Sequence, residues 1–398
     1  MLSSTTLPGA PSAGTPATQR LASIDALRGL VILFMLLDHV RETFFLHHQV
    51  TDPMAVATTS PELFASRLLA HVCAPVFVFL TGLSAYLYGA RQPDGRAAAA
   101  AFLAKRGLFL VLLEVTLVNF AWTFQFPPQI IYLQVIWVIG LSMLALAALV
   151  WLPRPVLIAL GLVLVAGHNL LDGLHFPAGH ALHVPWAVLH DRGWITLGGE
   201  GALRLRTSYP LLPWIGVIAL GYAAGTWFAA GADAAVRRRR LLGWGLGLLA
   251  GFVLLRALNG YGDQPWGLAD SAMVTVMGFF NVTKYPPSLL FVALTLGIGL
   301  LLLRAFERMH PASGVLRVLT VYGAAPMFFY LLHLYVLKLL YLGAVAVWGT
   351  TQGRYFGFDG MGAVWLASIA LAAALFVPVR AFGRFKARRK DLAWLKYL

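Results

Sequence analysis

Arg28 and His39 stand eleven positions apart in a segment otherwise rich in Leu, Ile and Val, with Asp25 one turn before the first and Asp38 beside the second. Eleven residues are about three helical turns, so on a helix the two side chains share a face and lie about 16 Å apart along the axis. Ionisable groups inside a membrane-spanning helix are costly, and their first reading is a functional site. An imidazole can take a proton from an attacking hydroxyl or amine, and a neighbouring carboxylate can orient it. Asp38 points about 100° away from His39, being adjacent on the helix. Glu42, three residues on, and Glu114, from a later segment, are the closer candidates for that orienting role. A guanidinium at position 28 suits a phosphate. A donor held there by its phosphates, with an arm of pantetheine length, would present its reactive end near His39. The competing structural reading makes His39 a hydrogen-bond partner of a neighbouring helix, and lets Arg28 snorkel to lipid headgroups while paired to Asp25.

Further polar side chains fall at similar depth. Asp38, Arg41 and Glu42 end the first apolar segment, His71 opens the second, and Glu114 lies near the middle of the third. His168, Asn169 and Asp172 end the fifth, Lys284 and Tyr285 open the eighth, and His333 sits past the midpoint of the ninth. Polar groups at membrane depth must face protein or a water-filled cavity, so the set is expected to converge on a cavity suited to acid–base chemistry. Each also has a plain structural reading. His71 lies in a stretch where Pro75 and Gly82 favour a kink and close packing, and His333 sits among aromatic residues as a core histidine would. The His168 group is what a helix ending at a wet interface looks like, and Lys284 before two prolines can be an interfacial anchor. His39, His71, His168 and His333 could meet around a metal, but no HxxxH or HExxH spacing supports it, and no metal is expected. Walker and dinucleotide glycine motifs are absent as well.

The elements that must hold these groups follow from composition. The chain has 398 residues, 59% of them hydrophobic and 12% charged, with a mean hydropathy of +0.76. Its apolar runs are continuous rather than alternating, which excludes a β-barrel. The expectation is an all-α, polytopic transmembrane helical bundle of about ten spans. They fall near 27–46, 67–90, 101–123, 129–152, 154–171, 208–230, 241–258, 285–304, 319–348 and 362–384. On this map most Lys and Arg, including the run Arg237 to Arg240, share the side of the termini, so the positive-inside pattern makes both termini cytoplasmic. The net charge of +14 therefore reads as topology signal and headgroup contact rather than a nucleic-acid site. A single cysteine, Cys73, excludes an internal disulfide and a cysteine zinc cage. Residues 1–19 read as a disordered cytoplasmic tail, 20–385 as one transmembrane domain, and 386–398 as a basic amphipathic tail. The outer loop 172–207 reads as a re-entrant or interfacial segment. No internal repeat of the kind many transporters show stands out.

Together these residues resemble a known group. Arg20-Leu-Ala-Ser-Ile-Asp-Ala-Leu-Arg-Gly-Leu followed by Leu37-Asp-His-Val-Arg is similar to the first helix of the transmembrane acyltransferase superfamily, in much of which an Arg and a His at this spacing are the hallmark. More narrowly, the chain resembles bacterial proteins related to the catalytic domain of heparan-alpha-glucosaminide N-acetyltransferase. The supporting segments are His71-Val-Cys-Ala-Pro-Val-Phe-Val-Phe-Leu-Thr-Gly, Ala166-Gly-His-Asn-Leu-Leu-Asp, Tyr209-Pro-Leu-Leu-Pro-Trp-Ile-Gly, Asn281-Val-Thr-Lys-Tyr-Pro-Pro-Ser-Leu-Leu-Phe and Phe329-Tyr-Leu-Leu-His. The resemblance implies transfer of an acyl group, acetyl by default, from cytosolic acyl-CoA to an acceptor across the bilayer. His39 would then be the base or acyl relay and Arg28 a donor-site residue. Lysosomal members carry Asn where His39 stands and place the active histidine slightly later, so His47 and His48 share the catalytic assignment. The implied partners are the lipid bilayer and a glycan or lipid-linked sugar, in the bacterial inner membrane, with acetyl-CoA as co-substrate. Two other functions fit the same charges less well. A proton-coupled permease lacks its repeats here, and a scaffold has no use for Lys, His and carboxylate at membrane depth.

Overall fold

Short polar residues set where the helices begin. Ser60, Asp233, Ser288 and Ser313 each precede an apolar run, and each side chain accepts a backbone N–H from the first turn of the helix that follows. The computed structural model describes residues 16–199, 202–389, 391, 392, 394 and 395. Helix α1 (Pro16–Phe44) is followed by α2 (Pro61–His71) and α3 (Cys73–Gly89). The last two are one apolar rod broken at Val72, because Pro75 has no N–H to offer the carbonyl of His71. Next come α4 (Gly95–Leu113), a π-helical turn at Glu114–Val118, α5 (Asn119–Thr123), β1 (Ile130–Leu133), α6 (Val135–Leu149) and α7 (Arg154–Gly167) with a 3-10 turn at His168–Leu171. The stretch after it holds α8 (His183–Leu189), β2 (Trp194–Leu197) and β3 (Leu203–Thr207). The chain continues through α9 (Leu212–Ala224), α10 (Ala234–Leu258), α11 (Ala272–Phe280), α12 (Leu289–Arg308), α13 (Gly314–Ala324), α14 (Pro326–Trp348) and α15 (Met361–Arg388).

Among the described residues, six stretches are long and apolar enough to cross a membrane by length and composition: Pro61–Gly89, Arg154–Leu171, Ala234–Leu258, Leu289–Arg308, Pro326–Trp348 and Met361–Arg388. Val135–Leu149, Leu212–Phe228 and Gly314–Ala324 are shorter apolar helices. The molecule is therefore a mostly helical protein with membrane-helix character. Three expectations change. The run expected as one span at 319–348 is two helices, because Pro326 forces Ala325 out of the helical region and opens α14 anew. The bundle is not purely α: β3 pairs parallel with β1, from Ile130 opposite Arg204 to Leu133 opposite Thr207, and antiparallel with β2. The stretch 172–207, expected as a re-entrant or interfacial segment, folds as a short helix and two strands that complete a small sheet with β1. Finally, α1 starts at Pro16, inside the expected tail, whose residues 1–15 lie outside the described residues. At the other end Lys386 to Arg388 belong to α15, and of the tail beyond them only 391, 392, 394 and 395 are described.

Helix α1 is the hub. It packs against α2, α3, α12, α13, α14 and α15, and its Leu27, Val31, Leu36 and Val40 are buried. Its tightest neighbour is α13, where Gly29 lies on the backbone of Leu319 and Gly323 on the backbone of Asp25. Lipid tails give helices no hydrophobic reason to associate, so such close backbone approach between small residues supplies the attraction. The outer ring is the reverse case: α7, α10, α14 and α15 expose Leu162, Leu254, Leu340 and Leu366. An apolar exterior of that kind suits lipid.

Candidate active site

A cavity of about 360 Å³ runs along α1 between α3, α4, α6, α13 and α14. Arg28, Ile32, Met35, His39 and Glu42 all line it, at spacings of four, three, four and three. That is one helical stripe, so the face shared by Arg28 and His39 is a cavity wall. At one end Arg28 donates to Asp25 at 2.9 Å and to the hydroxyl of Ser84. Arg106 from α4 and Lys386 from the last turns of α15 complete that end, three cations against one carboxylate. The middle is apolar, with Ile32, Met35, Phe77, Ile139, Met143 and Met327. At the other end the lining holds His39, Tyr209, Lys284 and Tyr285.

His39 is held by a second histidine. Its Nδ1 lies 2.6 Å from Nε2 of His333, whose Nδ1 lies 2.7 Å from the carbonyl of Phe329. A carbonyl only accepts, so His333 carries its proton on Nδ1 and, being neutral, offers a lone pair at Nε2. His39 must then donate from Nδ1, which leaves the lone pair of neutral His39 on Nε2, and His39 lines the cavity. The indole of Trp122 stands edge-on to the His39 ring at 5.2 Å and the Tyr330 ring at 6.0 Å, fixing the plane.

The carboxylates beside His39 have other partners. Asp38 binds Arg41 at 2.9 Å and Arg67 at 2.7 Å, and Glu42 takes Arg41 at 3.0 Å with Arg67 at 3.7 Å. The orienting partner of His39 is therefore His333, where a carboxylate was expected. Glu114 accepts the backbone N–H of Trp137 at 2.9 Å, capping the start of α6 from the π-helical turn. It stands outside the cavity lining, as do Arg41 and His71, which is buried against Phe291. His47 and His48 cluster on Phe45 beyond α1 and are likewise outside the lining. His168, Asn169 and Asp172 gather at a separate place, with His190.

The Lys284 ammonium lies over the rings of Tyr285 and Tyr209, at 5.1 and 5.7 Å, and the hydroxyls of those tyrosines are 3.2 Å apart. Its backbone N–H is held by Asp52 at 2.8 Å, from the loop after α1. Burial lifts the Asp52 carboxyl above the usual carboxylate range, opposed by that N–H and by Arg67. Arg67, Asp52, Tyr209, Tyr330 and Lys386 are site residues that spacing alone did not mark. Tyr209 opens one of the segments that carried the resemblance, and Arg67 gave a spacing signal, an arginine four residues before His71 and so one turn away from it on the same helix.

Residues 20–251, more than half of the chain, match the model of a family described as heparan-alpha-glucosaminide N-acetyltransferase, catalytic. The chain belongs to this family. Membership makes it one of the membrane acyltransferases. The matched stretch holds Arg28, His39, Arg67 and Tyr209 and stops before Lys284, Tyr285 and His333, so part of the cavity's polar end comes from chain beyond it. The resembling segments at 281–291 and 329–333 also lie past that stretch. No curated protein matches the chain.

Proposed function

We propose that the chain is an acyl-CoA-dependent O- or N-acyltransferase of the bacterial inner membrane, with both termini cytoplasmic. It moves an acetyl or similar acyl group to a sugar hydroxyl or amine on the periplasmic side, the acceptor being a glycan or a lipid-linked sugar. The observation that carries this reading is the cavity along α1, with cations at one end, an apolar middle and His39 at the other. Arg28, Arg106 and Lys386 would bind the phosphates of the donor from the cytoplasm, since guanidinium and ammonium groups suit phosphate oxygens. The apolar middle fits an uncharged arm and keeps water from the thioester.

At the His39 end the chemistry needs one proton acceptor. Nε2 of His39 takes the proton from the acceptor hydroxyl or amine as its oxygen or nitrogen attacks the thioester carbonyl. The carbon–sulfur bond then breaks, and the imidazolium returns the proton to the departing thiolate, so the ring ends as it began. Nδ1–H remains on His333 throughout, and the tautomer is kept ready for the next turnover. The Lys284 ammonium and the Tyr209 hydroxyl, which accepts from Tyr285 and keeps its own proton, are donors for the negative charge that grows on the carbonyl oxygen.

The test is transfer of radiolabelled acetyl from acetyl-CoA to envelope fractions by protein reconstituted in membranes. His39→Ala is expected to lower turnover by about 10²–10⁴-fold, with the protein still inserted and folded. Turnover equal to wild type overturns the role given to His39. Acetyl-CoA should also raise the unfolding temperature of the purified protein, whereas candidate transport solutes should not.

A further inference from the structure

The polar group at the end of α7 is not part of the cavity. His168 and Asp172 there meet His190 from the end of α8, and their ligating atoms all lie within 4.8 Å of one another. Three N and O donors on one zinc ion at about 2.0–2.2 Å lie no more than about 4.4 Å apart, so small side-chain rotations bring this set onto a single ion.

His168 supplies the second observation. Its side chain is 2% exposed, and neither ring nitrogen has a hydrogen-bond partner. The carbonyl of Pro287 faces the ring outside hydrogen-bond geometry. A buried imidazole carries one N–H and one lone pair, and leaving both idle is unfavourable, whereas a cation takes the lone pair and lets the N–H turn to that carbonyl.

The other two ligands are already steered. His190 is 1% exposed and stacks on Trp186 at 5.1 Å. Its Nε2 lies 3.4 Å from Asp172 and 3.1 Å from the carbonyl of His168, while its Nδ1 faces Asp191 at 3.8 Å. A carbonyl only accepts, so Nε2 carries the proton in this arrangement; an ion bound at Nε2 takes that proton's place, and the ring is then protonated on Nδ1, toward Asp191, as where a carboxylate fixes a metal-bound histidine. Asp172 accepts from Asn169 at 2.9 Å, and the oxygen of Asn169 accepts the N–H of Leu289 in the first turn of α12.

We propose that His168, His190 and Asp172 bind one zinc-class divalent cation, with water in the fourth position. The ion would pin the end of α8 and its adjoining small sheet to α7 and to the start of α12, five residues after Lys284. Two imidazoles and one carboxylate suit zinc better than the all-oxygen ions calcium and magnesium.

The experiment uses full-length protein without a histidine tag, in nanodiscs, stripped with chelator, loaded with zinc chloride and desalted. Metal content and thermal unfolding are then read. Wild type is expected to keep one zinc per chain and to unfold at a higher temperature with zinc than without. His168→Gln and His190→Gln should lose the retained zinc. Asp172→Asn, a change at a partly exposed side chain that leaves the fold intact, should weaken binding about tenfold or more. His175→Gln, at a well-exposed neighbour, should retain zinc as wild type does. Failure of wild type to retain zinc, or equal retention in all variants, overturns the site. Loss with His175→Gln overturns this ligand set.

Discussion

His333 has one tautomer available to it, and that constraint passes to His39. Because the carbonyl of Phe329 fixes the proton on Nδ1 of His333, the basic nitrogen of His39 is the one not used to hold the ring in place. His333→Ala should therefore lower kcat by about 10²-fold, leave the KM for acetyl-CoA close to wild type, and broaden the pH profile of kcat. Asn at 333, which can still accept from His39, should recover part of the loss. Steady-state transfer measured across pH separates this from a structural role, since a merely loosened core would change stability without reshaping the profile. The pairing of Arg28 with His39 was legible because helical periodicity acts within one segment. His333 was not legible as the partner, since it lies 294 residues further along and nothing in local spacing says which helices touch. Glu114 shows the same gap: a buried carboxylate looks alike whether it faces a cavity or, as here, caps the start of α6.

At the level of elements, the contact of α1 with α13 decides where the cavity wall stands. Gly29 and Gly323 let the two backbones meet, and any side chain at 323 would occupy the space of the Asp25 backbone. Gly323→Leu should destabilise the protein by about 1–3 kcal/mol or more, as overpacking of a rigid contact does. It should also displace Arg28, which is one turn from Asp25. Thermal unfolding in detergent measures the first effect, and a raised KM for acetyl-CoA the second. The break between α13 and α14 was readable in principle, since a proline at 326 marks a helix start. The hydrophobic run across it is continuous, and that continuity hid the signal. The strand at Ile130–Leu133 was less accessible still: Ile-Ile-Tyr-Leu ahead of a helix has no periodicity that separates strand from helix. Its partner β3 lies more than sixty residues on, past three α-helices and another strand.

For the whole molecule the proposed orientation makes the Arg28 end cytoplasmic and the His39 end periplasmic. Cys73 is the one cysteine and is buried, so replacing it with Ala gives a clean background for single exposed cysteines. Thr58→Cys, in the loop after α1, should react with a membrane-impermeant maleimide in cells whose outer membrane is permeabilised. Asp94→Cys, between α3 and α4, should react only after the inner membrane is opened. The reverse pattern would invert the orientation and remove cytosolic donor access to Arg28. The helical class and the central charged helix were plain from composition and patterning, while the packing order around α1 was set by glycine contacts that composition does not rank. The apolar middle of the cavity has one more consequence. A respiring membrane stores energy as a proton gradient, and a wet, charged passage through any resident protein would discharge it. Ile32, Met35, Ile139 and Met143, set between a cationic end and a basic one, offer a hydrated ion no polar side chain; under the proposed function this stretch would pass an uncharged thioester arm and resist ion leakage. Under the proposed function the chain would thus join two compartments chemically while keeping them insulated from each other.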